Sequence, residues 1–123
     1  MAKKHKVLIV EDNRPISKAM KIELELHGFE AYRVFDGQEA LKMVNNKKFD
    51  LLLVDLIMPE MDGYTFIAEV KKLNLDIPII VVSNINNEDG GSCEKKLGVD
   101  ACFVKSNVSL EDIIKKSKTL LKK

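Results

Sequence analysis

The chain has 123 residues, of which 46% are hydrophobic and 32% charged, and its net charge is +1. This length suits one domain with a core of its own, so we expect residues 1–123 to form a single domain. The balanced charge gives no strong attraction to nucleic acid or an anionic membrane. Because Arg14 and Arg33 are the only arginines, we expect no direct nucleic-acid binding.

Two further features bear on the compartment. The charged start of the chain is not followed by the longer apolar h-region of a signal peptide, and no apolar stretch is long enough to cross a bilayer. We therefore expect no signal peptide and no membrane insertion. Cys93 and Cys102 fit neither a zinc spacing nor a redox pair, so we predict two reduced, small apolar side chains and, from them, a cytoplasmic location.

The first half of the chain alternates strand and helix patterns. Residues 7–10 are continuously apolar, which is typical of a strand buried on both faces of a sheet. A helix pattern starts near Pro15 and ends at Gly28, a residue suited to a left-handed cap. Residues 30–35 predict a second strand, and residues 36–37 a turn before a second helix.

The second half repeats this alternation. Residues 50–55 and 79–82 predict the third and fourth strands, with a helix around Phe66 between them. The paired glycines at 90–91 would each cost a helix roughly 1 kcal/mol, so we predict a short or frayed fourth helix that ends at Gly98.

The chain closes with one more strand and helix. Residues 101–104 predict the fifth strand, and Ser109 caps the last helix, with acidic residues in its first turn. Five alternations of strand and helix predict an α/β fold, a doubly wound parallel sheet with helices on both faces. The carboxyl ends of all its strands would meet at one edge, where such folds bind ligands.

Polar residues stand at four of these strand ends. They are Glu11 and Asp12 after the first strand, Asp55 after the third, Ser83 after the fourth and Lys105 after the fifth. Clustered carboxylates repel one another unless a cation neutralises them, and oxygen ligands suit Mg²⁺. A lysine beside them suits a phosphoryl oxygen. The set therefore indicates phosphoryl transfer onto a carboxylate, with Asp55 as the nucleophile.

With the run D-L-I-M-P-E-M-D-G around Asp55, this set resembles the receiver domains of two-component response regulators. The resemblance extends from Val7 to Leu121. It implies a five-stranded, flavodoxin-like (βα)5 fold with strand order 2-1-3-4-5. It also implies a signalling switch that accepts a phosphoryl group from a sensor histidine kinase or a histidine phosphotransfer protein, with Mg²⁺ as cofactor.

The resemblance assigns a role to each site residue. Asp55 matches the phosphoacceptor, Ser83 the switch hydroxyl and Lys105 the lysine that pairs first with Asp55 and then with phosphate. The residues that match Mg²⁺ ligands are Asp12, Asp55, the backbone carbonyl of Ile57 and, through water, Glu11. Phe103 matches the aromatic residue that moves on activation, although an immobile core aromatic is the alternative. The output surface would be the fourth helix, fifth strand and fifth helix.

The chain departs from the family pattern at several positions. Ser106 follows Lys105 where proline is common, so we expect a trans peptide bond there. Asn84, Ile57 and Ile85 would flank the path of water to the phosphoryl group. Because the two isoleucines offer no base, we expect slow self-dephosphorylation, and an Ile85→Glu variant with unchanged phosphoryl lifetime would contradict this.

Other readings remain open from the sequence. The chain could be a pseudo-receiver that only binds proteins, although the intact site residues argue against that. A haloacid-dehalogenase-type phosphatase would have a second aspartate where Ile57 stands, and the lysines of the last helix are more typical of a solvated face than of a DNA-binding surface. We expect a receiver without an effector domain, either monomeric or dimerising on phosphorylation. Its weak self-phosphorylation and self-dephosphorylation would differ from the turnover of a conventional enzyme.

Overall fold

The structure, a computed structural model, describes residues 4–58, 61–84 and 93–121. Five strands and five helices alternate along these ranges. The strands are β1 (Lys6–Val10), β2 (Glu30–Val34), β3 (Leu51–Val54), β4 (Ile79–Ser83) and β5 (Ala101–Val104). The helices are α1 (Arg14–Leu26), α2 (Gly37–Asn46), α3 (Gly63–Lys72), α4 (Cys93–Leu97) and α5 (Leu110–Leu121).

The strands form one parallel sheet in the order β2-β1-β3-β4-β5. This confirms the predicted doubly wound, flavodoxin-like order. The register pairs Val10 with both Val34 and Val54, and Ser83 with Val104. The residues that directly follow β1, β3, β4 and β5 therefore lie at the same edge of the sheet.

Apolar side chains on the two faces of the sheet form two separate cores. Strand residues alternate between the faces, so in β1 Leu8 packs on one face and Ile9 on the other, and both are fully buried. The Leu8 face is covered by α2, α3 and α4, and the Ile9 face by α1 and α5. Burial on both faces explains why the strands read as continuous apolar runs.

Side-chain caps fix where the helices begin. The side-chain oxygens of Asn13, Asp36, Asp62 and Ser109 accept backbone N–H groups in the first turns of α1, α2, α3 and α5, at 2.8–3.1 Å. The prediction of a turn at residues 36–37 was wrong, because Asp36 is the cap of α2 and Gly37 its first residue. An aspartate before a glycine favours a turn and a helix start alike, so the dipeptide alone does not separate them.

Two predicted features of the helix ends have different outcomes. Gly28 follows α1 with φ +90°, which confirms the left-handed cap. The fourth helix is described over Cys93–Leu97 and is followed by Gly98 at φ +68°. The paired glycines at 90–91, on which the prediction of a short helix depended, lie outside the described residues.

The prediction of two reduced cysteines was wrong. Cys93 and Cys102 form a disulfide bond, with their Cα atoms 6.2 Å apart. The cause is the chain reversal at Gly98, which brings the first residue of α4 beside β5. Spacing along the sequence did not reveal this contact, because it depends on how a short helix packs against the next strand.

Within the described parts of the chain, no helix has both the length and the apolar character needed to cross a membrane.

Close backbone packing at Gly63 generates a prediction about stability. A Cβ atom at Gly63 would lie 2.2 Å from the carbonyl oxygen of Asp55 and 2.7 Å from the Cα of Leu56. Because both atoms belong to the backbone, Gly63→Ala must displace the loop that follows β3. We expect it to lower the free energy of unfolding by about 3 kcal/mol or more.

Gly28→Ala is the matched control in urea unfolding. Nothing lies within 4 Å of a Cβ atom at Gly28, so this variant should lose only about 1 kcal/mol, from its left-handed backbone. A loss at Gly63 equal to or below that at Gly28 would contradict the packing argument.

Candidate functional site

Asp55 is the first residue after β3, and the sheet itself fixes its position. Its backbone N–H donates to the carbonyl oxygen of Val10 at 2.9 Å, extending the β1–β3 pairing by one residue. Its Oδ1 atom accepts the backbone N–H of Ile57 at 3.3 Å. The side chain is only 6% exposed, which is unusual for a carboxylate and requires compensation by nearby charge or hydrogen bonds.

Two more carboxylates stand beside it. The backbone N–H of Glu11 donates to Val34 at 3.1 Å, and its Oε2 accepts the N–H of Asn13 at 3.0 Å. Glu11 is buried, whereas Asp12, the next residue, is exposed. One carboxylate oxygen from each of Glu11, Asp12 and Asp55 lies within 4.8 Å of the other two. The structure therefore brings together three acids predicted to meet at this edge.

Lys105 compensates part of this negative charge. Its backbone N–H donates to the carbonyl oxygen of Ser83 at 2.9 Å, which continues the β4–β5 pairing. Its Nζ lies 3.0 Å from Asp55 Oδ2 and 2.7 Å from Glu11 Oε1. With 17% of its side chain exposed, this lysine forms ion pairs to both buried acids.

Burial and pairing act in opposite directions on the protonation of these groups. Burial raises the pKa of Glu11, while the ammonium of Lys105 and the N–H of Asn13 partly oppose that shift. Burial by itself would lower the pKa of Lys105, but Glu11 and Asp55 outweigh it, and the pKa of Lys105 is raised. Lys105 is therefore a fully charged partner at neutral pH.

Some polar atoms of the site keep unused hydrogen-bonding capacity. Ser83 is 2% exposed, and its Oγ has no hydrogen-bond partner among the described residues. Glu11 Oε1 is close to Lys105, but the pair does not meet the angles of a hydrogen bond, so their attraction is chiefly ionic. A buried hydroxyl without a described partner, like that of Ser83, is costly and is typical of a site that acquires further partners on binding.

The charge balance of the site fits a divalent cation. Three ionised carboxylates and one lysine sum to −2. At 4.8 Å, and an effective dielectric constant of about 20, each pair of like charges repels by about 3 kcal/mol. An oxygen-only donor set of this kind suits Mg²⁺ better than a soft metal. Glu11, Asp12 and Asp55 could therefore hold that ion.

The remaining residues predicted for the site lie around it. Ile57 is 63% exposed beside Asp55, and Ile85 lies outside the described residues. Phe103 in β5 is half-buried and packs against the core under α1 and α5. The Lys105–Ser106 peptide bond is trans, as expected from the absence of proline.

Asn84 has a structural contact that sequence reasoning missed. Its Oδ1 accepts the backbone N–H of Ser106 at 2.9 Å. This bond joins the residue after Ser83 to the residue after Lys105. An asparagine directly after a strand often bonds a nearby backbone N–H, but its partner lies 22 residues away and only the sheet order could have identified it.

Comparison with known proteins shows the family of the chain. Residues 7–118 match the family described as "Response regulator receiver domain". The chain belongs to this family. The receiver fold also appears in solved structures. The Francisella response regulator 1452 receiver domain has a TM-score of 0.88 and 28% identity, over 95% of this chain and 96% of that chain.

A second solved structure is the response regulator protein TrrA from Thermotoga maritima, in complex with Mg²⁺ and BeF. It has a TM-score of 0.83 and 28% identity, over 95% of this chain and 99% of that chain. Curated relatives of this receiver domain are longer. The probable transcriptional regulator ycf27 of Cyanidium caldarium is 33% identical over 84% of this chain and 41% of its own length. PrrA of Mycobacterium tuberculosis, a transcriptional regulatory protein, is 29% identical over 96% of this chain and 50% of its own length. The chain thus spans half or less of these proteins.

Because Lys105 forms ion pairs with two buried acids, replacing it should change the stability of the receiver domain. Lys105→Met leaves Glu11 and Asp55 without their shared cation. Without metal we expect a loss of about 2 kcal/mol in unfolding free energy, less than for a fully buried pair because this lysine is partly exposed. Added Mg²⁺ should then raise the melting temperature of the variant more than that of the wild type.

Lys42→Met serves as the control, because Lys42 is an exposed residue of α2. Thermal unfolding with and without Mg²⁺ makes the comparison. An equal Mg²⁺ response in Lys105→Met, Lys42→Met and wild type would contradict the proposed charge balance.

Proposed function

We propose that this receiver domain is a phosphorylation-dependent signalling switch whose phosphoacceptor is Asp55. One observation chiefly supports this function. A buried aspartate at the end of the central strand lies 3.0 Å from Lys105 Nζ and shares a cluster with two other carboxylates. A structural aspartate of a turn would need neither the lysine nor the second and third acids.

The reaction transfers a phosphoryl group from a phosphohistidine of a sensor histidine kinase or histidine phosphotransfer protein. A carboxylate oxygen of Asp55 forms the new P–O bond while the P–N bond to the histidine breaks, and the imidazole leaves. Lys105 Nζ then exchanges its contact with Asp55 for one with a phosphoryl oxygen. The ammonium thus lies beside the charge that develops during transfer.

The residues that would hold Mg²⁺ are Asp12, Asp55, the backbone carbonyl of Ile57 and, through water, Glu11. When bound, this ion neutralises phosphoryl oxygens and orients them toward the acceptor. The net charge of −2 on the four ionised groups supports a divalent ion at this place. Asp12 is the exposed member of the set, so it is the acid that incoming groups reach first.

The output of the switch would come from Ser83 and Phe103. Ser83 has an unused buried hydroxyl, which suits a new hydrogen bond to a phosphoryl oxygen. Phe103 is in β5, two residues before Lys105, so a displacement of Lys105 on phosphorylation would reach Phe103 through a short stretch of backbone. The surface formed by α4, β5 and α5 would change and present a new contact to a protein partner.

The same proposal implies a cellular location, an oligomeric state and a level of self-catalysis. A kinase-dependent receiver would act in the cytoplasm, as a monomer or as a dimer that forms on phosphorylation. It would speed its own phosphorylation and dephosphorylation only weakly, and the exposed apolar side chain of Ile57 offers no base to a hydrolytic water. The longer relatives are named as transcriptional regulators, and we do not extend that activity to this chain.

Phosphorylation by a small donor tests the acceptor directly. With acetyl phosphate and Mg²⁺, we expect intact-protein mass spectrometry to show a single added phosphoryl group on the wild type. The adduct should be absent without Mg²⁺ and absent from Asp55→Asn, because the amide is not a nucleophile of the required kind. Asp76→Asn, at an exposed residue, is the matched control and should be labelled like the wild type.

A fluoroberyllate titration separates the two functions that remain if acetyl phosphate fails. Mg²⁺-dependent binding of fluoroberyllate without an adduct would indicate strict dependence on a kinase. Absence of both would reject the proposal in favour of a pseudo-receiver that only binds proteins.

A further inference from the structure

A disulfide bond links two elements of the fold, and the proposed receiver activity assigns no role to it. It joins Cys93, the first residue of α4, to Cys102, the second residue of β5. Both cysteines are half-buried, and both pack against the core beneath α2 and α3. The chain contains two cysteines in all, so no other cysteine competes for either partner.

The described part of α4 contacts both the core and β5. The helix is described over five residues, and none of them is buried. Two of them, Cys93 and Leu97, are partly buried against the core. Two attachments lead to β5 at the same point: the disulfide, and the backbone N–H of Cys102 donating to Glu94 Oε2 at 3.2 Å. Breaking the disulfide removes the stronger of the two.

We propose that Cys93 and Cys102 are a reversible thiol–disulfide site that fixes α4 to β5 when oxidised and releases it when reduced. Disulfides in a reducing compartment are usually transient and redox-sensing, so the cytoplasmic location proposed above favours a reversible bond over a permanent one. Partial exposure of both residues gives an attacking thiolate access to the bond.

The reaction needs a low-molecular-weight thiol as its reductant. A thiolate of this compound attacks one sulfur of the Cys93–Cys102 bond and forms a mixed disulfide, releasing the other cysteine as a thiolate that takes up a proton. A second molecule then attacks the mixed disulfide and frees the remaining cysteine. Two thiols are thereby oxidised to one disulfide, and the protein gains two electrons and two protons. Oxidation of the pair is the reverse of this sequence.

The disulfide lies close along the chain to Lys105, the ion-pair partner of Asp55. Cys102 is in β5, three residues before Lys105, which directly follows that strand. A bond that fixes α4 to this strand opposes rearrangement of the α4–β5 surface. This consequence rests on the proposed function. We infer that the oxidised form is held in the arrangement described above and responds less readily to phosphorylation than the reduced form.

The first experiment measures the redox site without reference to phosphorylation. The full chain is equilibrated in mixtures of reduced and oxidised glutathione, quenched with acid and alkylated, and its free thiols are counted by mass. We expect a transition between zero and two alkylated cysteines within this series. A pair that stays oxidised in fully reduced glutathione, or stays reduced in excess oxidised glutathione, would overturn the proposal.

Hydrogen exchange then tests the attachment of α4. Amides of residues 93–104 should exchange faster in the reduced chain than in the oxidised chain, whereas those of α2 should not change. The double variant Cys93→Ser/Cys102→Ser should behave like the reduced chain and should not respond to glutathione. Equal exchange in the oxidised and reduced chains would overturn the claim that the bond fixes α4.

Fluoroberyllate with Mg²⁺ tests the connection to Asp55. The reduced chain and the double variant should bind this probe about tenfold more tightly than the oxidised chain, within the usual range of coupling between two sites. Equal affinity in all three would overturn the coupling. Binding in none of them would instead count against the proposed function, and the thiol count and hydrogen exchange would still decide whether the redox site exists.

Discussion

The ion pairs of Lys105 with Glu11 and Asp55 are the constraint on which the rest of the site depends. Two buried carboxylates lie within hydrogen-bonding distance of one ammonium, which offsets part of the cost of burying their charge. Under the proposed function, this lysine would need only a small movement to meet a phosphoryl oxygen. Stability of the resting form and readiness for transfer would then come from one side chain.

The parallel sheet makes this arrangement possible. Asp55, Glu11 and Lys105 come from positions as far as 94 residues apart (105 − 11), yet each is the first residue after a strand. Each continues the backbone pairing of the sheet by one hydrogen bond, to Val10, Val34 and Ser83 respectively. The buried strands of the sheet therefore place the site.

Much of this was predictable from the sequence, and the failures have a common cause. Continuous apolar runs predicted four of the strands, alternation of apolar and polar residues predicted β2, and the sheet order followed from family resemblance. Polar residues at the strand ends gave the acids and Lys105, because a parallel sheet gathers those ends at one edge. The Asp36 cap, the Asn84–Ser106 bond and the Cys93–Cys102 disulfide were not predicted. Each depends on the exact path of a turn or a loop, which neither apolar periodicity nor residue spacing records.

The central claim is that Lys105 exchanges its ion pair with Asp55 for a contact with the phosphoryl group. A crystal structure of the intact chain with Mg²⁺ and fluoroberyllate tests this most directly. The account predicts fluoroberyllate on a carboxylate oxygen of Asp55, Lys105 Nζ on one of its fluorines, and Mg²⁺ held by Asp12 and Asp55. Fluoroberyllate bound elsewhere, or Lys105 still paired with Asp55 beside a bound fluoroberyllate, would contradict it.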